Sequence, residues 1–296
     1  MCDEWLGNLL LTPGTIAGYE IYARQWIAFF RTLPAITTER ARAYYAARLK
    51  TVLRRTVRKE LSALRGFLTW CKVTGEIAEV PFIPIPERNV TGTRSNPKRK
   101  TTAVELSRSE ALAIIKRLPI EGRKWQGRTR TPRAFFTVLW ETGLRPTTVC
   151  QIEVGRHYVK GGEDLTITAE IDKARYDRVV GLTKAARTAL DSVCPKAGLL
   201  FPKADYRKLL KEAAKAADIA PEKIVHFTKY DFRHARITDV IDATGDMTGA
   251  AYMAGHKLLS TTDKYAHPSR RAGDRVIAKL SGAFRVRGPK KERREK

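Results

Sequence analysis

The chain has 296 residues, 43% hydrophobic and 29% charged, so it can bury about two domain cores and is not a disordered protein. Its 56 lysines and arginines against 31 acids give a formal net charge of +25, which suits a polyanion far better than an acidic small molecule. Four cysteines, at positions 2, 71, 150 and 194, form no CxxC pair, which argues against a zinc ribbon or a disulfide framework and fits a reducing compartment. The opening MCDEWLGNLL has early acids and no basic n-region, so a signal peptide is not expected. No apolar run approaches the ~18 residues of a membrane span, and no GxxxxGK[ST] loop is present.

Residues 12 to 80 read as helices. Thr12-Pro13 places a capping residue before a proline suited to the first helical position. Ile16, Tyr19, Ala23, Trp26, Ile27 and Phe30 then recur at helical spacing. A second helix is expected from Thr38 to Leu49 and a third over residues 52 to 71, with Leu53, Val57, Leu61, Leu64 and Leu68 as its apolar stripe. Arg54, Arg55, Arg58, Lys59 and Arg65 cover its other faces against the single acid Glu60. A solvated face is the ordinary reading of such charges; the bias in sign points instead to a face that neutralises phosphates. Pro81, Pro84, Pro86 and Pro97 break any helix over residues 81 to 103, where Arg94, Lys98, Arg99 and Lys100 add charge. Such a segment could lie along a nucleic acid or serve as a solvated tether.

Beyond it, Ser107 and Glu110 form a capping box ahead of a helix ending near Leu118. A further helix follows Thr131-Pro132, carries Phe135, Phe136, Leu139 and Trp140, and stops at Gly143. Leu165, Ile167, Ala169 and Ile171 alternate as in a strand, DKARYD at 172–177 reads as a turn, and Arg178 to Leu182 as the returning strand. Helices are expected at about 183–194, 205–217, 229–243, 248–254 and 261–279, followed by a tail from Arg285 to Lys296 with seven cations and two acids.

Four segments could carry chemistry: TGLRP at 142–146, DKARYD at 172–177, YDFRHA at 230–235 and GHKLLSTTDKYAHPS at 255–269. Each alone is weak, but their order and spacing resemble the tyrosine recombinase (phage integrase) family. TGLR matches that family's first arginine box; Tyr230-Asp231-Phe232-Arg233-His234 stands where its second box reads HxLRH; and Gly255-His256 precede Tyr265 by nine residues with Thr261 and Thr262 between, as in GHxxxxTTxxY. TIAGYEIYARQWIAFF and VRKELSALRGFLTWCKVTG are similar to helices of the family's core-binding domain, so the resemblance covers roughly residues 12 to 282.

The resemblance implies a mainly α fold with a small β-sheet. A helical, SAM-like core-binding domain (1–86), a basic linker (87–103), a catalytic domain (104–284) and a basic tail (285–296) would form a C-shaped clamp on duplex DNA. It implies a site-specific recombinase that works through a 3′-phosphotyrosine, with no cofactor and no metal. Tyr265 would be the nucleophile, Arg145 and Arg233 would hold the non-bridging phosphate oxygens, His256 would donate a hydrogen bond or handle the tyrosine proton, and a lysine would protonate the departing 5′ oxygen: Lys173, favoured over Lys160 and Lys184 by its place in the turn between the two strands. Arg175 and Arg178 are expected as phosphate contacts. Further implications are a homotetramer in the synaptic complex, C-terminal helices exchanged through the stripe Val276, Ile277, Leu280 and Phe284, accessory DNA-bending or directionality proteins, a cytoplasmic, nucleoid-associated location and no membrane. The alternative for that stripe is packing on its own domain.

Two positions depart from the family pattern. Tyr230 replaces the usual histidine of the second box; a phenol is a poor base near neutral pH, since its unperturbed pKa is about 10. Thr148 stands where an acid often follows the first arginine by three; an acid there would orient the histidine of the third box or the arginine, so that support is expected from elsewhere. The other readings are a DNA-binding protein that has lost catalysis and a type IB topoisomerase.

Overall fold

The computed structural model describes residues 1–86, 106–125, 128–225 and 227–263. Tyr265, Lys98, Arg99, Lys100, the linker over 87–103, the exchanged stripe over 276–284 and the tail lie outside them. The chain divides into two compact units, Met1–Thr101 and Thr102–Lys296.

In the first unit, α1 (Cys2–Gly7), α2 (Pro13–Phe30), α3 (Thr38–Leu49) and α4 (Arg54–Val73) enclose an aromatic core. Trp5, Trp26, Phe30, Tyr44 and Phe67 are buried there, with Trp5 stacked on Tyr19 at 5.6 Å between ring centroids. The short helix α1, which no periodicity announces, exists to deliver Trp5 and Leu6 to that core. Val57, Leu61, Leu64 and Leu68 are buried as their spacing predicts, whereas Leu53 caps α4. Ile27 is exposed, contrary to its place in the expected α2 stripe. The Thr12 hydroxyl bonds the Thr15 hydroxyl at 3.0 Å and does not cap the backbone.

Glu60 corrects the reading of α4 as a face with one acid. It is buried, and it accepts from Tyr44 Oη at 2.9 Å and from Arg48 Nε and Nη2 at 2.9 and 2.7 Å. The exposed face of α4 is therefore more cationic than the sequence count suggests.

The second unit packs α5 (Arg108–Arg117), α6 (Pro132–Thr142), α8 (Lys184–Val193), α9 (Arg207–Ala216) and α11 (Lys229–Thr244) around Phe135, Phe136, Trp140, Phe201, Tyr206 and Phe232. The capping box of Ser107 and Glu110 forms as expected, and Gly143 ends α6 with φ +62°. A second box, Thr228 with Asp231, opens α11. Short elements complete the unit: α7 (Pro146–Val149), α10 (Pro221–Ile224), α12 (Met247–Ala254) and α13 (Leu259–Asp263).

Two antiparallel hairpins are present among the described residues, β1 (Gly122–Trp125) with β2 (Arg128–Arg130), and β3 (Asp164–Ile167) with β4 (Arg178–Gly181). The first was not expected. In the second, Leu165 lies opposite Val180, and β3 ends at Ile167, short of the alternation that runs to Ile171. The Ala169 N–H leaves the ladder to donate to Asp177 Oδ1 at 2.6 Å, so residues 168 to 177 form a connection longer than the expected turn. Among the described residues, no helix is long and apolar enough to cross a membrane.

Candidate active site

Three sequence segments meet at one backbone turn. TGLRP works through its local geometry: Gly143 takes the left-handed conformation, Leu144 is buried, and Arg145 becomes the N-cap residue of α7 with Pro146 at its first position. In α11, Phe232 is buried against Phe136, 5.0 Å between ring centroids, which turns the neighbouring Arg233 into the interior. Gly255 ends α12 with φ +66° and starts the turn that carries His256.

Arg233 donates from Nη1 to the Gly143 carbonyl at 2.6 Å and from Nη2 to the Ala254 carbonyl at 2.7 Å. Its Nη2 also lies 3.0 Å from His256 Nε2. A guanidinium can only donate, so Nε2 is the acceptor and the ring carries its proton on Nδ1. That proton goes to Thr262 Oγ1 at 2.8 Å, which gives the second threonine of the TT pair a definite task. The backbone of the first box thus holds the arginine of the second, and that arginine holds the histidine of the third.

Arg145 reaches the same turn from the other side. Its Nη1 donates to Asp172 Oδ1 at 2.7 Å, with longer contacts of 3.4 and 3.5 Å from Nη1 and Nη2 to the Gly255 carbonyl. Asp172 also accepts from the Thr148 hydroxyl at 3.3 Å and pairs through Oδ2 with Arg178 Nη1 at 2.6 Å. Burial pushes the Asp172 carboxyl up, but the close ion pair with Arg178 and the charge of Arg145 prevail and hold it below its ordinary value of 3.8.

Arg178 corrects an expectation. Its side chain is 1% exposed, so it is not placed to contact phosphate. Its guanidinium packs on Gly255, where a Cβ would collide with it, so this glycine is required by space as well as by φ. Arg175 is exposed, with φ +54°. Lys173 follows Asp172 and is also exposed. Tyr230 lies one helical turn before Arg233, 41% exposed, and lines a cleft of about 620 Å³ with Lys203, Arg207 and Lys229.

The structure therefore brings Arg145, Arg233 and His256 together, and sets Lys173 beside the carboxylate that Arg145 grips. It leaves Tyr230 on the rim of that cleft. Asp172, Arg178 and Thr262 were missed as members of the cluster. Among the described residues, no group of three His, Cys, Asp or Glu side chains could hold a metal ion.

In the first unit, Arg54, Arg55, Lys59 and Arg65 are exposed, and Arg58 is half-buried and donates to the Pro86 carbonyl. Arg55, Arg58 and Lys59 line a cleft of about 640 Å³ with Gly14, Gly18, Tyr19 and Tyr22 of α2; Arg54 and Arg65 do not. Gly14 and Gly18 have open space where a Cβ would stand, so the wall they form is bare backbone.

A mainly helical unit with small hairpins, closing two arginines and a histidine on one turn, belongs to the DNA-breaking and rejoining enzymes of tyrosine-recombinase type. The chain is a member of the phage integrase family, whose sequence profile matches residues 98–271. Among curated proteins it is similar to a tyrosine recombinase XerC of Corynebacterium efficiens, 21% identical over 304 residues, covering 98% of this chain and 90% of that one. It is also similar to the XerC of Erythrobacter litoralis, 28% identical over 223 residues, covering 72% and 68%. Among solved structures, the Tn1549 transposon integrase in complex with transposon right end DNA has a TM-score of 0.66 at 14% identity, covering 94% of this chain and 97% of that one. XerH bound to difH, a pre-cleavage complex, gives 0.61 at 16% identity, covering 89% and 78%. At these identities the structural likeness concerns the fold.

Proposed function

We propose that the protein cleaves and rejoins duplex DNA at specific sites through a covalent link to Tyr265. The convergence of Arg145, Arg233 and His256 on the turn at residues 254–256 is the observation that carries this reading. Tyr265 Oη attacks phosphorus as the bond to the 5′ oxygen breaks. The phenol's proton passes to His256 Nε2 once Arg233 Nη2 releases that nitrogen's lone pair. Lys173 gives a proton to the leaving 5′ oxygen. Arg145 and Arg233 hold the non-bridging oxygens, where charge builds in the transition state. The 3′-phosphotyrosine conserves the energy of the broken bond, so a 5′ hydroxyl from another strand can reseal the DNA by the reverse route. Tyr230, a turn from Arg233, serves as a hydrogen-bond donor to the DNA backbone.

In this reading residues 1–86 form the core-binding domain, 87–103 a basic linker, 104–284 the catalytic domain and 285–296 a basic tail. Arg55, Arg58 and Lys59 grip phosphates across the glycine wall of α2, and Arg54, Arg65, Lys98, Arg99 and Lys100 extend the cationic track. The active assembly is a homotetramer on two DNA sites in the cytoplasm, with accessory DNA-bending proteins where the sites require them. If six to ten phosphates are contacted, affinity falls by about 10³ to 10⁵ between roughly 50 and 200 mM salt. A dissociation constant unchanged over that range, measured by fluorescence anisotropy, would remove the phosphate track.

The test of catalysis uses a randomised pool of nicked duplexes, wild-type protein and Tyr265→Phe, with no added metal, resolved on a denaturing gel. Wild type alone is expected to yield a slow-migrating protein–DNA adduct. Tight binding by both proteins with no adduct from either would favour a second reading, a DNA-binding protein without catalysis, for which Tyr230 in place of histidine is the supporting observation. Adduct formation accompanied by supercoil relaxation on a single duplex, without pairing of sites, would favour a topoisomerase.

A further inference from the structure

We infer that Asp172 is the positioning residue for Arg145 and Lys173, supplying from the β3–β4 connection the carboxylate that position 148 lacks. The inference rests on the recombinase reading given above. Thr148 is fully buried, and its hydroxyl donates to Asp172 Oδ1, the same oxygen that Arg145 grips at 2.7 Å. The other contacts of Arg145, at 3.4 and 3.5 Å to the Gly255 carbonyl, are long and weak. Among the described residues, the only short contact that fixes the direction of this guanidinium is therefore the one to Asp172.

The same carboxylate reaches further. Through Oδ2 it holds Arg178, and Arg178 lies flat on Gly255, one residue before His256. The Arg175 N–H donates to the Asp172 carbonyl at 3.0 Å, closing a turn around Lys173. The side chain of Asp172 has no exposure to solvent, so the residue anchors the connection from inside while its neighbour Lys173 points its length outward. One buried carboxylate thus sets the angle of Arg145, the height of Lys173 and, through Arg178, the turn under His256. Net charge supports the arrangement: two guanidinium groups around one carboxylate leave a single positive charge for an incoming phosphate. Among the described residues, Nε and part of Nη2 of Arg145 make no short contact, and these can face that phosphate.

The experiment compares full-length wild type, Asp172→Asn, Asp172→Ala and the double variant Asp172→Ala with Thr148→Glu. Each is given the nicked duplex that wild type traps best from the randomised pool. Three quantities are read: the single-turnover rate of adduct formation, the dissociation constant for the same duplex and the melting temperature. Asp172→Asn and Asp172→Ala are expected to slow adduct formation by about 100-fold with DNA affinity retained, the scale of a misplaced catalytic group. Thr148→Glu carries a carboxylate to the place that Asp172 leaves and is expected to restore about tenfold of the lost rate. A purely structural role predicts neither retained affinity nor rescue from position 148. If Asp172→Ala fails to fold, Asp172→Asn, which preserves volume, decides the matter. Wild-type rates in a folded Asp172→Asn, or losses that follow melting temperature with no rescue, would overturn the inference while leaving the recombinase reading intact. A wild type that traps no duplex removes both.

Discussion

Replacing Arg233 with lysine is expected to lower the rate of adduct formation by about a thousandfold, the scale of losing a preorganised cation at a phosphoryl transition state. The charge stays, so the loss tests geometry. Arg233 spans two carbonyls on different segments, Gly143 and Ala254, and still meets His256 Nε2. One planar fork can serve three acceptors in different directions. An ammonium has its three donors on a single atom and cannot reach all of them at once. The residue is 4% exposed, so any acceptor left over is left without water as well. His256 would lose the donor that fixes its tautomer, and the turn at Gly255 would lose its tie to the end of α6. A stability cost is expected too, at about 1 to 3 kcal/mol for each unpaired buried group. Melting temperature and DNA affinity must therefore be measured beside the single-turnover rate. A folded Arg233→Lys protein cleaving within about tenfold of wild type would remove Arg233 from the transition state.

The parts of this site that the sequence announces are those that local backbone rules create. Gly143 and Gly255 both take positive φ after a helix, which is what a glycine at the end of a periodic run predicts. Thr228 and Asp231 are a capping box, so the YDFRHA string is partly a helix-start signal, and its aspartate belongs to the cap. Arg178 was legible in principle. In β4 it shares an inward face with Val180, so strand alternation places it inside; its charge argued against what its register required. Glu60 is a similar case, lying on the same spacing as Val57, Leu61 and Leu64. Asp172 was not legible. Its partners come from 27 residues earlier and six later in the chain, and the connection that presents it adopts no repeating pattern. The same holds for β1–β2, whose arginine- and lysine-rich strands lack the apolar alternation that marks a half-buried sheet.

Glu60→Ala is expected to destabilise the first unit by about 3 to 5 kcal/mol, the range for removing one partner of a buried ion pair. Two groups are stranded by the change. The Tyr44 phenol, 1% exposed, donates only to Glu60 among the described residues, and burial together with that hydrogen bond pushes its pKa up. Arg48 loses a two-pronged contact to the same carboxylate. Its side chain is 21% exposed, so water recovers part of that loss, and the larger share of the cost falls on Tyr44. Glu60→Gln keeps an acceptor for the phenol and fills the same volume, so its cost should be clearly smaller. The effect should reach DNA binding as well. Glu60 ties α3 to α4 one residue from Lys59 and two from Arg58, both lining the cationic cleft. Urea unfolding of the full chain, followed by tryptophan fluorescence, would report on this unit through Trp5, Trp26 and Trp70, with Trp125 and Trp140 of the second unit as a signal that Glu60→Ala should leave in place. An Ala cost below about 1 kcal/mol would reduce the cluster to the worth of an exposed ion pair. The stability of α4 would then have to come from its apolar stripe alone.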